Sequence, residues 1–209
     1  MFSTVNNDNQ TERLFKAIDD ENWEAFQVAI GEGANVNAFD QQGYSPLMKV
    51  AMNYSSLVTV NERSLTLEKQ VIYLITNSLT DINLKSQVPV PERMPSLNDY
   101  SRVVFLDEEN NTALHLACIL ASEHMVSILL RRKDIDLSIE NYERKTAEEC
   151  SDRSNFTRIK KEFEKAKLGQ RLLSLMANGN FNQEVRRLSG DGNLNPNCFD
   201  KAGLKHLLF

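Results

Sequence analysis

Apolar residues recur at helical spacing in discrete blocks of the chain, each block followed by a short polar stretch. Leu14, Ala17, Phe26 and Ile30 form one such block, split over two short helical segments. In a second block, Leu114, Ala117 and Cys118 share one face of a first segment. Met125, Val126, Leu129 and Leu130 share one face of the next. Leu172, Met176, Phe181 and Leu188 repeat the arrangement further on. Neither segment of a pair can bury its stripe alone, and small Ala117 lets a neighbour approach closely. The pattern therefore predicts helix pairs stacked on one another around a shared core.

The blocks open and close on recurring words. Four begin alike: "DQQGYSPLMKVA" from Asp40, "DEENNTALHLAC" from Asp107, "NYERKTAEEC" from Asn141 and "DKAGLKHLL" from Asp200. Four end alike: "GEGANVNAF" (31–39), "NSLTDINLK" (77–85), "RRKDIDLSI" (131–139) and "SGDGNLNPN" (189–197). Together they resemble the ankyrin repeat, a turn plus two antiparallel helices with a period of about 33 residues and the signature T-P-L-H-x-A. "SPLMKVA" (45–51) and "TALHLAC" (112–118) carry the match best. "RLFKAIDDENWEAFQVAIGEGANVNA" (13–38) follows the family pattern without a gap from Leu14 to Asn37.

The resemblance implies an all-α ankyrin-repeat solenoid of about five helix-turn-helix repeats with two insertions. A polar N-terminal tail would occupy 1–9 and the repeat domain 10–209. The repeats fall at about 10–39, 40–85, 107–139, 141–168 and 169–199, with the start of a further one at 200–209. The spacing is uneven. Asn37 to Asn83 spans 46 residues, Asn83 to Asp136 spans 53, and Asp136 to Asn195 spans 59. The first excess lies in 52–68, between the helices of repeat two, and the second in 86–105, before the helices of repeat three. Pro89, Pro91 and Pro95 predict irregular backbone in the latter. The fourth repeat's helices are predicted at 146–151 and 155–169, and a fifth pair at about 170–178 and 181–189. A solenoid ends on a polar cap, so the apolar "KHLLF" at 205–209 suggests a trimmed chain or an early stop.

Composition narrows the function classes. With 41% hydrophobic and 25% charged residues the chain reads as a soluble folded protein. A net charge of −5 argues against whole-chain attraction to nucleic acid or anionic lipid. No apolar run approaches the roughly 20 residues that span a bilayer, and no secretory signal pattern opens the chain. Three widely spaced cysteines, Cys118, Cys150 and Cys198, are no disulfide framework. They fit a cytoplasmic or other reducing intracellular compartment. The N-x-S/T words at Asn53, Asn110 and Asn155 read as chance without a signal peptide.

"NNTALHLACIL" (110–120) places His115 and Cys118 one helical turn apart, as a nucleophile and its base could stand. A thiolate dyad needs a low-pKa cysteine in a cleft, usually with its base on another element. The family resemblance implies instead that Thr112 caps the helix, Leu114 and Ala117 pack, His115 ties to loop backbone, and Cys118 replaces an alanine. No metal-ligand spacing and no phosphate-binding glycine loop accompanies them, so no cofactor, metal or catalytic residue is expected. The family also implies that Asn37 and Asn83 can meet an asparaginyl hydroxylase. Stabilising the turn into the next finger is the preferred role. The basic stretch 158–167 interleaves Glu162 and Glu164 with lysines, which suits a solvated helix face. The same is expected of "RRK" (131–133) and of Arg186–Arg187.

Family members bind partner proteins on finger loops and on the exposed side of the inner helices. The corresponding positions here are Phe39, Gln41, Gln42, Tyr44, Glu108, Glu109, Asn111, Tyr142, Glu143 and Arg144. Ordinary turn composition is the other reading of them. Asp40 and Asp107 are set apart as residues that fix the finger hairpin. The 86–105 insertion adds Arg93, Tyr100, Arg102 and Phe105, residue types favoured at interfaces. Partner contact is preferred for it, over packing back or disorder. Glu108, Glu109, Glu140 and Glu143 point to a protein partner with a basic patch. The expected function is non-catalytic protein–protein interaction across a concave surface, with no nucleic acid and no membrane insertion. Two alternatives stay open. One is the targeting portion of a longer enzyme, such as an effector an intracellular bacterium delivers into its host, which the Asn-, Lys- and Ile-leaning composition favours. The other is a cysteine-hydrolase-like site formed with the insertions.

Overall fold

The computed structural model describes residues 4–55, 62–87, 110–151 and 156–177, and within them all regular structure is helical. Three helix pairs follow one another: α1 (Thr4–Asp19) with α2 (Trp23–Gly31), α3 (Pro46–Ser55) with α4 (Glu62–Thr76), and α5 (Ala113–Ile119) with α6 (Glu123–Leu129). The first helices of the pairs pack in sequence as an inner row. The second helices form an outer row that α7 (Phe156–Ala177) continues. One core runs through the stack, with Leu14, Phe26, Leu47, Leu74, Leu116, Met125 and Phe163 fully buried.

The turn inside a pair recurs in shape. Asn22 N–H donates to Ala17 O and Glu21 N–H to Ile18 O; Ser122 and Ala121 do the same to Ala117 and Cys118. Glu21 (φ 51°) and Ala121 (φ 55°) take the left-handed conformation that closes the turn, at a steric cost glycine would avoid. Asn22 caps α2 by accepting from Ala25 N–H at 2.9 Å.

Between repeats, asparagine side chains form the ladder. Asn37 Nδ2 donates to Leu79 O at 2.7 Å and its Oδ1 accepts from Asp81 N–H at 2.8 Å. Asn83 does likewise with Asp134 O and Asp136 N–H, at 2.9 and 2.8 Å. Each amide satisfies one donor and one acceptor of the following turn, as only a group with both functions can.

Several expectations need correction. Within 1–9, set apart as a polar tail, the backbone is already helical from Thr4. Residues 146–151 make one turn and not a helix. Thr146 O accepts from Glu149 and Cys150 N–H, and the Ser151 hydroxyl donates to Glu148 O. The boundary at 168–169 falls inside α7, which runs unbroken through Gly169. Gln170 holds it to the preceding repeat by donating to Ile135 O at 3.0 Å. Much of the 52–68 insertion lengthens α3 and α4, with 56–61 outside the described residues.

Arg132 is the largest departure. Expected on a solvated face, it is 0% exposed. Its Nε and Nη2 hold the Asp134 carboxylate at 2.5 and 2.6 Å, and Nη1 donates to Ile75 O at 2.7 Å. The last carbonyls of a helix lack intrahelical donors. A guanidinium, with five donors in one plane, answers several acceptors around the end of α4 at once.

Candidate functional site

The turn between the first and second helix pairs, where a finger of the expected repeat would fall, is built on Asp40. Its Oδ1 accepts from Gln42 N–H and Tyr44 N–H, both at 2.9 Å, while Gly43 N–H returns to Asp40 O at 3.0 Å. Asn141 repeats the design: its Oδ1 accepts from Lys145 N–H at 3.1 Å, and Arg144 N–H donates to Asn141 O at 3.1 Å. The fourth finger residue turns left-handed in each case, at Gly43 (φ 83°), Asn110 (φ 51°) and Arg144 (φ 58°). The fingers are also joined to one another. Gln87 N–H donates to Gly43 O, Ser86 N–H to Asn111 O, and Asn141 Nδ2 to Asn111 Oδ1 at 3.1 Å.

This joining decides which expected contact residues are available. Contrary to the expectation from sequence, Tyr44 and Asn111 are not on the exposed face: Tyr44 is 3% exposed and Asn111 0%. Asn111 is the link between neighbouring fingers, and Tyr44 is part of the core. Gln41 and Gln42 stand exposed beside half-buried Phe39 on one finger. Tyr142 (76% exposed), Glu143 and Arg144 stand on another, with Glu143 paired to Lys145. Arg93, Tyr100, Arg102, Phe105, Glu108 and Glu109 lie outside the described residues, as does Asp107.

At His115 the geometry is that of a structural tie. Thr112 Oγ1 lies 2.8 Å from Nδ1, and Nε2 lies 3.1 Å from Lys145 O. A carbonyl can only accept, so Nε2 carries the proton and Nδ1 accepts from Thr112. Thr112 and His115 also close a reciprocal cap on α5. Burial, aided by the Lys85 charge, lowers the imidazole pKa. The unfolded chain then takes up the proton first as pH falls. The contribution is complete above about pH 6.5 and declines as pH falls through that value. His115→Leu is expected to cost about 1–3 kcal/mol at pH 7.5. The gap from the parent should narrow at pH 5.5 in parallel denaturant titrations; an unchanged gap would contradict this account.

Cys118 lies in the core and burial pushes its thiol pKa far up, so it offers no thiolate at neutral pH. Both nitrogens of His115 are already engaged. Thiol titration with a disulfide reagent should leave Cys118 silent in the native protein and reveal it on unfolding. Rapid native labelling of Cys118 would overturn this. Among the described residues no three His, Cys, Asp or Glu side chains gather as a metal site would require. No helix there is long and apolar enough to cross a membrane.

Acidic residues outside the expected contact positions line a groove beside α1. Glu12, Asp19 and Asp20 share that groove with Lys16 and with Asp40 and Lys49. Lys49 bridges Asp40 at 2.9 Å and Asp19 at 3.2 Å, and stands over the Phe15 ring at 5.9 Å. Burial alone would lower its pKa, but the two carboxylates outweigh it and the net direction is upward. The signal available beforehand was the helical spacing of Glu12, Lys16 and Asp20. No match is found among the curated proteins. Residues 109–142, which hold the capped helix α5, His115 and helix α6, match the family model of the ankyrin repeat.

Proposed function

We propose that the chain is a non-catalytic protein–protein interaction module that meets its partner with finger loops and the open side of the inner helices. The observation that carries this reading is the finger row itself. Its backbone is held by Asp40, Asn141 and the Asn111 link, while Gln41, Gln42, Tyr142 and Arg144 project from it unburied. A surface already ordered in this way loses little conformational entropy when a partner docks. An exposed tyrosine on such a support is one of the residue types enriched among interface anchors. The ankyrin repeat matched at 109–142 belongs to a family whose usual work is protein binding.

The test is affinity capture with the intact protein and with a Gln41→Ala, Gln42→Ala, Tyr142→Ala variant, followed by titration of the captured partner. A loss of affinity of tenfold or more in the variant is expected; equal capture and equal affinity would remove the fingers from the reading. A third protein, with 86–105 replaced by a short finger turn, measures what that insertion adds.

A further inference from the structure

The inner side of the stack is unevenly open. In the third repeat every residue from Ala113 to Cys118 is buried, so α5 offers no side chain of that run to a partner. An open concavity lies beside the first helix pair, as a groove of about 1360 Å³ between α1 and the stretch 33–42. Its apolar floor includes Phe15, Val36 and half-buried Phe39. Along its wall, Glu12, Lys16 and Asp20 follow at intervals of four residues on and just beyond α1. All three are exposed, and their side chains make no ion pair or hydrogen bond among the described residues. Lys49, by contrast, is already committed to Asp40 and Asp19.

The geometry points to one class of occupant. We propose that this groove takes an extended segment of a partner protein with basic, acidic and basic side chains at alternate positions, its intervening residues apolar. The proposal rests on reading the chain as an interaction module. Four residues of helix advance roughly 6 Å. Two residues of extended chain advance about 6.7 Å and return the side chain to the same face. An extended segment lying along α1 therefore presents every second residue in step with Glu12, Lys16 and Asp20. Charge complementarity then calls for Arg or Lys, Asp or Glu, and Arg or Lys in turn. A segment of uniform charge is disfavoured by the alternation, and a nucleic acid strand by the net acidity of the lining.

The test uses labelled synthetic nonapeptides in which Arg, Glu and Arg alternate with leucine and alanine. The charge-inverted peptide and one with the same residues in scrambled order serve as controls, all read by fluorescence anisotropy at low ionic strength. The parent protein is expected to prefer the Arg-Glu-Arg register at least tenfold over both. A Glu12→Arg, Lys16→Glu, Asp20→Arg variant should transfer that preference to the inverted peptide. Should the triple variant lose its helical signal, Asp20→Asn alone is expected to weaken binding severalfold. Binding without register preference, a preference the variants do not change, or no binding overturns the proposal. These variants alter only the α1 wall and leave Gln41 and Gln42, which border the groove from the other side, unchanged. The module reading fails separately, if the capture experiment yields no partner whose affinity depends on Gln41, Gln42 and Tyr142.

Discussion

Arg132→Met is expected to lower the free energy of unfolding by about 3 kcal/mol, a large share of the roughly 5–15 kcal/mol a domain possesses. The substitution keeps most of the apolar stem and removes the guanidinium. Ile75 O and Thr80 O, both served by it in a buried site, then lose their donors. Asp134 loses both of its short contacts, though its side chain is 19% exposed and can recover some water. That partial exposure places the effect at the lower end of the range for a broken buried pair. Arg132→Lys should recover little of the loss, since a single ammonium cannot span the carboxylate and the carbonyls together. Chemical denaturation of the parent and the two variants checks both statements. A lysine variant as stable as the parent would show that charge alone, not the planar donor set, holds the end of α4.

Phe26→Ala is expected to cost about 3–5 kcal/mol, the usual price of emptying a buried aromatic site. Phe26 is fully buried, stacks on Trp23 at 5.6 Å and meets Tyr73 edge-to-face at 5.8 Å. Trp23 also meets Tyr73, at 5.9 Å. The three rings join α2 to α4 and so couple the first repeat to the second. In a stacked array, stability is a sum over repeats and their interfaces, so weakening this interface should loosen the first repeat ahead of the rest. The expected signature is a broadened or two-step unfolding transition in which tryptophan fluorescence, from the single Trp23, changes before helicity. Coincident transitions would mean that the stack still unfolds as one unit. Since α1 forms one wall of the acidic groove, peptide binding there should be lost within the first step.

The helix pairs were legible in the sequence because their apolar positions recur at helical spacing. Leu14, Phe26, Met125 and Leu129 lie in the core for that reason. Local chemistry was legible too: Thr112 before an apolar run marks a helix start, and Asp40 before Gly43 marks a turn. Exposure was legible only in part. Gln41, Gln42 and Tyr142, second or third in their fingers, are open, but Tyr44 and Asn111, each fifth, are buried. Nothing local to either residue announces this, because it depends on how neighbouring fingers meet. The same is true of Arg132, which sits in a basic run of the kind that normally faces water. Asp134 is close by, but the backbone carbonyls Arg132 serves are 52 to 57 residues away along the chain.

The acidic groove illustrates the division from the other side. Glu12, Lys16 and Asp20 could be placed along one side of a helix from their spacing alone. That they border a concavity, and that Lys49 is withdrawn from it by Asp19 and Asp40, depends on packing α1 beside α3 and folding 33–42 back across them. By itself the sequence determined periodicity, caps and turns, because those are set by interactions within a few residues. Which polar groups are buried, which fingers touch and where the inner side stays open were decided only by the tertiary structure. Each depends on contacts between repeats, and the local code of any one repeat says nothing about its neighbour's surface.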